Sequence, residues 1–251
     1  MDIRLRNIIL CLVNKHFPSS NTGRKRVKPE YVLDELLRVL WTGCPWRSLR
    51  TTESSYQTIH RHFIIWTQKN VFREAYSIAY KLQSRPTRRN LRFQCIDSSF
   101  VKNIYGRDCV GRNPTDRGRK ATKLSAVVDQ DGLPLSLVFF PANVHDVHTI
   151  EPILQNRIVV PRPSQPLYAD KGYDSKKVRT MIRHHGNLDR VGKRGTIVHR
   201  VVNRRRNIVE RFFSWLDKSR RLVLRYDALI TSYESWTWLA SLRLIKNTNQ
   251  I

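Results

Sequence analysis

The spacing of hydrophobic residues changes near residue 90, and this change predicts two regions of different architecture. Before residue 90 the hydrophobic residues recur every three or four positions, as they do on the buried face of a helix. After it the chain alternates strand-like and helical runs. Residues 84–90 contain Pro86 and several polar side chains, which is typical of a linker. We therefore predict a helical domain over residues 1–88 and an α/β domain over residues 91–251.

The helical region has three hydrophobic stripes, over residues 31–41, 56–66 and 72–82. A helix, a tight turn and two further helices are compatible with a helix-turn-helix unit that binds DNA. In that case Gln57 and Arg61 would lie on the second helix, where they could face DNA. A small three-helix domain that only packs explains the same pattern equally well, so both interpretations stay open here.

The second region begins with three strand-like runs, over residues 91–97, 123–128 and 133–140. Asp129-Gln-Asp-Gly132 separates the last two runs and has the composition of a hairpin turn. We expect an antiparallel arrangement of these strands. Further along the chain we predict a helix, a short buried strand, a second helix and a long amphipathic helix, over residues 145–154, 166–169, 175–185 and about 208–222. This is the element order of an RNase H-like fold, a mixed sheet flanked by helices.

The charge of the chain favours a polyanionic partner, because 46 Lys and Arg residues against 20 Asp and Glu give a net charge of +26. Charge alone does not choose between DNA, RNA and an anionic membrane, and ribosomal proteins are equally basic. Local basic runs occur at residues 24–26, 117–120 and 204–206, and each could be a solvated face. No run approaches the ~18 apolar residues of a membrane span. We therefore expect an intracellular protein that does not enter a membrane.

Three acidic residues stand at the positions where this fold could bring carboxylates together. Asp97 ends the first strand, Asp170 follows the fourth, and Glu210 lies on the last long helix. Three neighbouring carboxylates repel one another unless cations neutralise them, and oxygen ligands suit Mg²⁺ or Mn²⁺. Two such ions support phosphodiester cleavage without a protein nucleophile. The alternative is that each Asp forms a turn or caps a helix, and that Glu210 is a solvated partner of an arginine.

The residues around these acids resemble the three motifs of DDE insertion-sequence transposases. The matching segments are Cys95-Ile-Asp97-Ser-Ser, Tyr168-Ala-Asp170-Lys-Gly-Tyr-Asp174 and Asn207-Ile-Val-Glu210-Arg-Phe-Phe-Ser-Trp-Leu216. Residues 42–49 and 138–146 are similar to further segments of the same family, so the resemblance extends from about residue 30 to the C-terminus. Within the second of these, His145 and Asp146 fit a capping or hydrogen-bonding role at least as well as metal binding.

The resemblance implies a DNA transposase of the compact type, without a large insertion domain. It assigns catalysis and the binding of two Mg²⁺ or Mn²⁺ ions to Asp97, Asp170 and Glu210. The implied partner is double-stranded DNA, both the terminal inverted repeats of a transposon and the target. It also implies that the protein works as a homo-oligomer on DNA.

Basic residues beside the acidic motifs are candidates for contacts with DNA phosphates. Arg206 matches the arginine that precedes the family's glutamate, and Lys171 and Arg205 lie close to Asp170 and Glu210 along the chain. Two positions depart from the motif, because Asn203 replaces the usual Tyr and Asp217 the usual Lys. For each of the three basic residues a surface cation is an equally good interpretation.

Two other functions fit the same residues. An RNase H-like nuclease or junction resolvase would share the fold and the acids, but its reaction would end at hydrolysis. A transposase descendant that has lost catalysis could survive as a DNA-binding protein. Such a descendant is expected to lose its acidic residues, whereas all three positions are acidic here.

Overall fold

The computed structural model describes residues 1–18, 25–49, 51–83, 92–193 and 200–245, without the side chains of residues 200–204 and 206. The chain forms two compact units. The first combines residues 1–85 with residues 216–251, and the second consists of residues 86–215.

The regular elements of the described residues are numbered along the chain. The helices are α1 Ile3–His16, α2 Pro29–Thr42, α3 Tyr56–Gln68, α4 Val71–Gln83, α5 Ile150–Gln155, α6 Lys176–His184, α7 Arg200–Asp217, α8 Arg220–Val223 and α9 Ile230–Ser241. The strands are β1 Gln94–Asn103, β2 Gly111–Arg112, β3 Lys120–Asp129, β4 Pro134–Pro141, β5 Gln165–Ala169, β6 Asn187–Val191 and β7 Leu224–Arg225. Short 3-10 helices lie at Trp46–Ser48, Asp146–His148, Lys171–Tyr173 and Leu242–Leu244.

The first unit is a helical bundle with an aromatic core. Helices α2, α3 and α4 confirm the three predicted stripes, and α1 and α9 were not predicted. The rings of Phe63 on α3 and Trp236 on α9 stack at 4.2 Å between centroids. A buried ion pair joins Arg221 and Asp227 at 2.7 Å. The C-terminal helix thus packs with the N-terminal helices, whereas the sequence placed it in the same domain as the sheet.

The pattern of α9 explains why it was not predicted. Its residues from Ser232 to Ser241 are nearly all buried, so it has no polar face to reveal a helical period. The buried hydroxyls of Thr237 and Ser241 donate to the carbonyl oxygens of Tyr233 and Thr237, four residues earlier. The helix therefore satisfies these two buried hydroxyls with its own backbone.

The second unit is built on a mixed sheet. Strands β1, β3 and β4 form an antiparallel meander, while β5 pairs parallel with β1 and β6 pairs parallel with β5. The order across the sheet is β4-β3-β1-β5-β6, and β2 pairs with the start of β3. This is the arrangement of an RNase H-like core and confirms the predicted α/β fold. The sequence analysis did not predict the short strands β2 and β6.

The turn between β3 and β4 confirms the predicted hairpin. One carboxylate oxygen of Asp129 accepts hydrogen bonds from the backbone amides of Asp131 and Leu133, both at 2.9 Å. Gly132 has φ +84°, a conformation that side chains with a Cβ rarely adopt. The turn thereby sets the register in which β4 pairs with β3.

A polar network joins the three parallel strands near the residues where they begin. The half-buried Arg157 guanidinium donates to the side-chain oxygens of Gln94 at 3.1 Å and Asn187 at 2.6 Å. Gln94 in turn donates to the side chain of Gln165 on β5 at 3.1 Å. Burial lowers the pKa of Arg157 to about 10, so the guanidinium stays charged at neutral pH. The network therefore connects one end of β1, β5 and β6 through a single cation.

We expect Arg157→Met to lower the free energy of unfolding by about 2 kcal/mol, because the buried oxygens of Gln94 and Asn187 would lose their donor. Urea denaturation followed by tryptophan fluorescence measures this loss. The control is Lys177→Met, which removes an exposed cation from the same unit and should change stability by less than about 0.5 kcal/mol. Equal unfolding midpoints for the two variants would show that the network does not stabilise the fold.

Candidate active site

Asp97 lies within β1, and Asp170 directly follows β5, the strand that pairs parallel with β1. The two strands pair from Gln94 with Leu167 to Cys95 with Tyr168. Extending this register by two residues would set Asp97 opposite Asp170, at the spacing of about 4.8 Å between neighbouring strands. We therefore expect these two of the three predicted acids to lie close together where β5 ends.

Backbone amides orient both carboxylates. One oxygen of Asp170 accepts a hydrogen bond from the Lys171 amide at 2.6 Å, at the start of the 3-10 turn 171–173. One oxygen of Asp97 accepts from the Ser98 amide at 2.8 Å. Both aspartates are only partly exposed. Their negative charges are therefore held at a fixed place on the edge of the sheet.

A hydrogen-bonded hydroxyl group lies next to Asp97. The Ser98 hydroxyl is 2.7 Å from that of Ser125 and 3.1 Å from that of Tyr173. The pKa of the Tyr173 hydroxyl is raised well above its ordinary value, first by burial and then by the charges of Asp146 and Asp97. Tyr173 therefore stays protonated at any physiological pH and acts as a neutral hydrogen-bonding group.

Asp146 is a third acid close to this edge. One of its oxygens would lie 3.8 Å from a Cβ added to Gly172, in the turn that follows Asp170. Its other oxygen accepts from the Lys123 ammonium at 2.8 Å. The Lys123 side chain is 5% exposed and also donates to the Val144 carbonyl. A buried lysine thus supplies a positive charge beside the acidic edge.

The sequence analysis did not identify the Lys123–Asp146 pair. It left Asp146 with a capping or hydrogen-bonding role, and the structure shows a hydrogen-bonded ion pair. The available signal was Lys123 itself, since it starts a run of otherwise apolar or small residues in a buried strand, and buried charges are almost always paired. The capping residue of the short helix that follows is His145, which accepts from the Val147 amide.

Helix α7, which carries Glu210, lies on the sheet face that bears Asp97 and Asp170. The Cys95 thiol contacts the Arg205 carbonyl oxygen at 3.1 Å, and Cys95 points to the same face as Asp97 because it is two residues away on the strand. Glu210 is an exposed residue of this helix. Among the described residues, no three His, Cys, Asp or Glu side chains are grouped closely enough to hold a metal ion. The joint role of the three acids therefore stays a prediction.

The predicted DNA-contacting residues have different surroundings. Arg205 packs its guanidinium 4.7 Å from the ring centroids of both Phe93 and Tyr168 and donates to the Tyr168 hydroxyl. Lys171 is half-buried, and the Arg206 side chain lies outside the described residues. In the first unit, Gln57 and Arg61 are both exposed on α3, one helical turn apart.

A known protein family matches more than half of the chain. The family model described as "Transposase DDE domain" matches residues 88–245. The chain belongs to the DDE transposase family. A second model, "Putative transposase of IS4/5 family", matches residues 8–76 of this DDE-family chain.

A relative of this DDE-family chain is described as "Putative transposase for insertion sequence element IS402" from Burkholderia cepacia. The two sequences are 36% identical over 130 residues, which cover 49% of this chain and 62% of the relative. The DDE-family chain therefore spans less than two thirds of that relative. Within its described residues, no helix is both long enough and apolar enough to cross a lipid bilayer.

An ion-pair cluster fixes the helix that follows the Asp170 turn. Arg179 on α6 donates to Asp174 at 2.8 Å and to Asp189 at 3.0 Å, and Arg183 donates to Asp189 at 2.9 Å. The N-cap of α6 is Ser175, whose hydroxyl accepts a hydrogen bond from the Val178 amide. Asp174 instead anchors the helix through an ion pair.

The stability supplied by Asp189 should depend on pH. Burial raises its pKa, but the hydrogen bonds and charges of Arg183 and Arg179 outweigh burial and lower the pKa below 3.8. The stability that ionised Asp189 supplies is therefore fully present above its unfolded pKa of about 3.9. It is lost as the pH falls through its pKa in the folded protein, which is lower. We expect Asp189→Asn to cost about 1 kcal/mol at pH 7 and progressively less as the pH falls below the unfolded pKa of about 3.9. Denaturation of both proteins across this range measures the difference, and a gap independent of pH would contradict the ion-pair origin.

Proposed function

We propose that this chain is a DNA transposase that cuts DNA at transposon ends and joins the ends to target DNA with the help of divalent metal ions. The observation that carries the proposal is the parallel pairing of β1, which contains Asp97, with β5, which Asp170 directly follows, in an RNase H-like sheet. This edge lies inside the segment that matches the transposase DDE domain. The net charge of +26 supports a polyanionic substrate.

The residues at this edge fit magnesium or manganese. Carboxylate oxygens are the ligands that Mg²⁺ and Mn²⁺ prefer, and the half-buried Asp97 and Asp170 would supply such oxygens from two neighbouring strands. Glu210 would complete the set from α7. When bound, two such ions would activate the attacking oxygen and stabilise the leaving one in phosphodiester cleavage.

The chain's own residues orient the ligands and the substrate. The backbone amide of Ser98 donates to one oxygen of Asp97, and that of Lys171 donates to one oxygen of Asp170. These hydrogen bonds restrict the rotation of both carboxylates. Lys171 and Arg206 would bind DNA phosphates, the latter with the planar fork of donors that suits them. Water would attack in the first step and a DNA 3′-hydroxyl in the second, so no side chain needs to form a covalent bond.

The partners follow from the reaction. The DNA would be the terminal inverted repeats of a transposon and then the target, and the protein would act inside the cell where that DNA is. Exposed Gln57 and Arg61 on α3 are available for recognition of the ends. Bringing two ends together requires more than one protomer, so we infer a homo-oligomer on DNA.

We expect Asp97→Asn, Asp170→Asn and Glu210→Gln each to slow cleavage by at least about 100-fold, because each removes a charged metal ligand from the transition state. The assay is cleavage of a DNA duplex with the element's terminal repeat in Mg²⁺. Binding of the same duplex should change by less than about threefold. The matched control is Asp131→Asn, an exposed acid in the β3–β4 turn, which should cleave at the wild-type rate.

A wild-type cleavage rate for any of the three variants would remove that residue from the active site. The same assay separates transposition from simple hydrolysis. Pre-cleaved transposon ends incubated with a supercoiled plasmid should give joined products. A nuclease or resolvase would yield no joined DNA, and a descendant that only binds DNA would neither cut nor join.

A further inference from the structure

Strands β1 and β3 continue past the acidic edge and form a basic projection. Strand β5 ends at Ala169, level with Ile96, whereas β1 runs on to Asn103. We call residues 101–122 the basic arm, which comprises the end of β1, the strand β2 and the start of β3. We propose that the basic arm binds the phosphate backbone of duplex DNA beside the cleaved bond, a contact that rests on the proposed function.

The arm presents cations on the same sheet face as the catalytic aspartates. Asp97 pairs with Ala126 of β3, and Lys120 lies six residues from Ala126 on that strand. Residues separated by an even number of positions on a strand point to the same face, so Lys120 shares the face of Ala126 and Asp97. Six residues of an antiparallel strand span about 20 Å. Arg112 of β2 pairs with Lys120 and so shares this face. Both side chains are exposed.

The charge of the arm is unbalanced. Its exposed basic residues are Lys102, Arg107, Arg112, Arg117, Arg119 and Lys120. Its acids are the partly exposed Asp108 and Asp116, and Asp116 pairs loosely with Arg119 at 3.8 Å. Arg112 and Lys120 stand directly opposite each other across two strands, a pairing of like charges that destabilises a sheet. A phosphate between or above these two cations would remove the repulsion.

Internal hydrogen bonds hold the arm in one shape. The Asn113 carbonyl accepts from the Gly118 amide at 3.0 Å, and its side chain accepts from the Thr115 amide at 3.0 Å. The Thr122 hydroxyl donates to the Cys109 carbonyl at 2.9 Å. Gly111 lies so close to Asn143 that a Cβ would come within 2.0 Å of its side-chain oxygen. A rigid arm can offer its cations to DNA without first paying the entropy of ordering them.

Duplex DNA matches the spacing between the arm and the acidic edge. Phosphates along one strand of a duplex advance by about 3.4 Å along the axis, so the ~20 Å between Asp97 and Lys120 corresponds to about six of them. A duplex whose cleaved phosphate lies at Asp97 and Asp170 can therefore extend along the arm. The contact would read charge and not base sequence, because phosphates carry no sequence information.

The test is the binding of a fluorescent 40-base-pair duplex of arbitrary sequence at several salt concentrations. The arm variant is Arg112→Gln with Lys120→Gln. Its matched control is Lys176→Gln with Lys177→Gln, which removes the same charge from an exposed part of α6 in the same unit. Loss of two phosphate contacts should reduce the slope of log K against log salt by about 1.8 and raise the Kd at 0.1 M salt by about tenfold or more.

Thermal melting separates lost contact from lost folding. The arm variant should melt at or above the wild-type temperature, since it removes a like-charge pair. Normal melting with a reduced salt slope in the arm variant, and a wild-type slope in the control, would support the inference. An arm variant with the wild-type slope, or equal losses in both variants, would overturn it while the wild type still binds. No binding by the wild type would instead overturn the proposed function, and this inference with it.

Discussion

The parallel pairing of β5 with β1 is the contact on which the site depends. Cys95 and Tyr168 are the last pair in its register, and the position expected for Asp170 relative to Asp97 follows from that register. A shift of one residue would turn Asp170 to the opposite face from Asp97, because side chains alternate along a strand. The antiparallel pairing of β1 with β3 positions the basic arm, since it places Lys120 on the same sheet face as Asp97.

The parallel strands carry a cation at the end where they begin and carboxylates at the opposite end. Where the strands begin, the half-buried Arg157 donates to the amide oxygens of Gln94 and Asn187, so neutral dipoles surround this cation. At the other end, Asp97 and Asp170 occupy partly exposed positions. The carboxylates at this end are therefore more accessible to a ligand than the oxygens that surround Arg157.

The strands around the candidate site were largely predictable from the sequence, whereas the position of Glu210 was not. The prediction that Asp97 ends the first strand is wrong, because β1 continues to Asn103, whereas Asp170 does directly follow β5 as predicted. Strand β6 was hidden because Asp189 and Arg190 make it polar, and their roles depend on α6 and the solvent. Glu210 lies on a helix whose rotation and distance are set by packing, as in the contact of Arg205 with Phe93 and Tyr168. No local pattern encodes that packing.

The acidic edge and the basic arm carry opposite charges on one sheet. Asp97 lies on β1 at the edge, and Arg112 and Lys120 stand opposite each other on the arm, about 20 Å along the strands. Solvent and salt screen exposed charges beyond a Debye length of about 8 Å, so the cations of the arm do little to neutralise the acids of the edge. Under the proposed function, metal ions would bind at the edge and DNA phosphates at the arm. A duplex with bound metal ions would therefore bring opposite charge to both places at once.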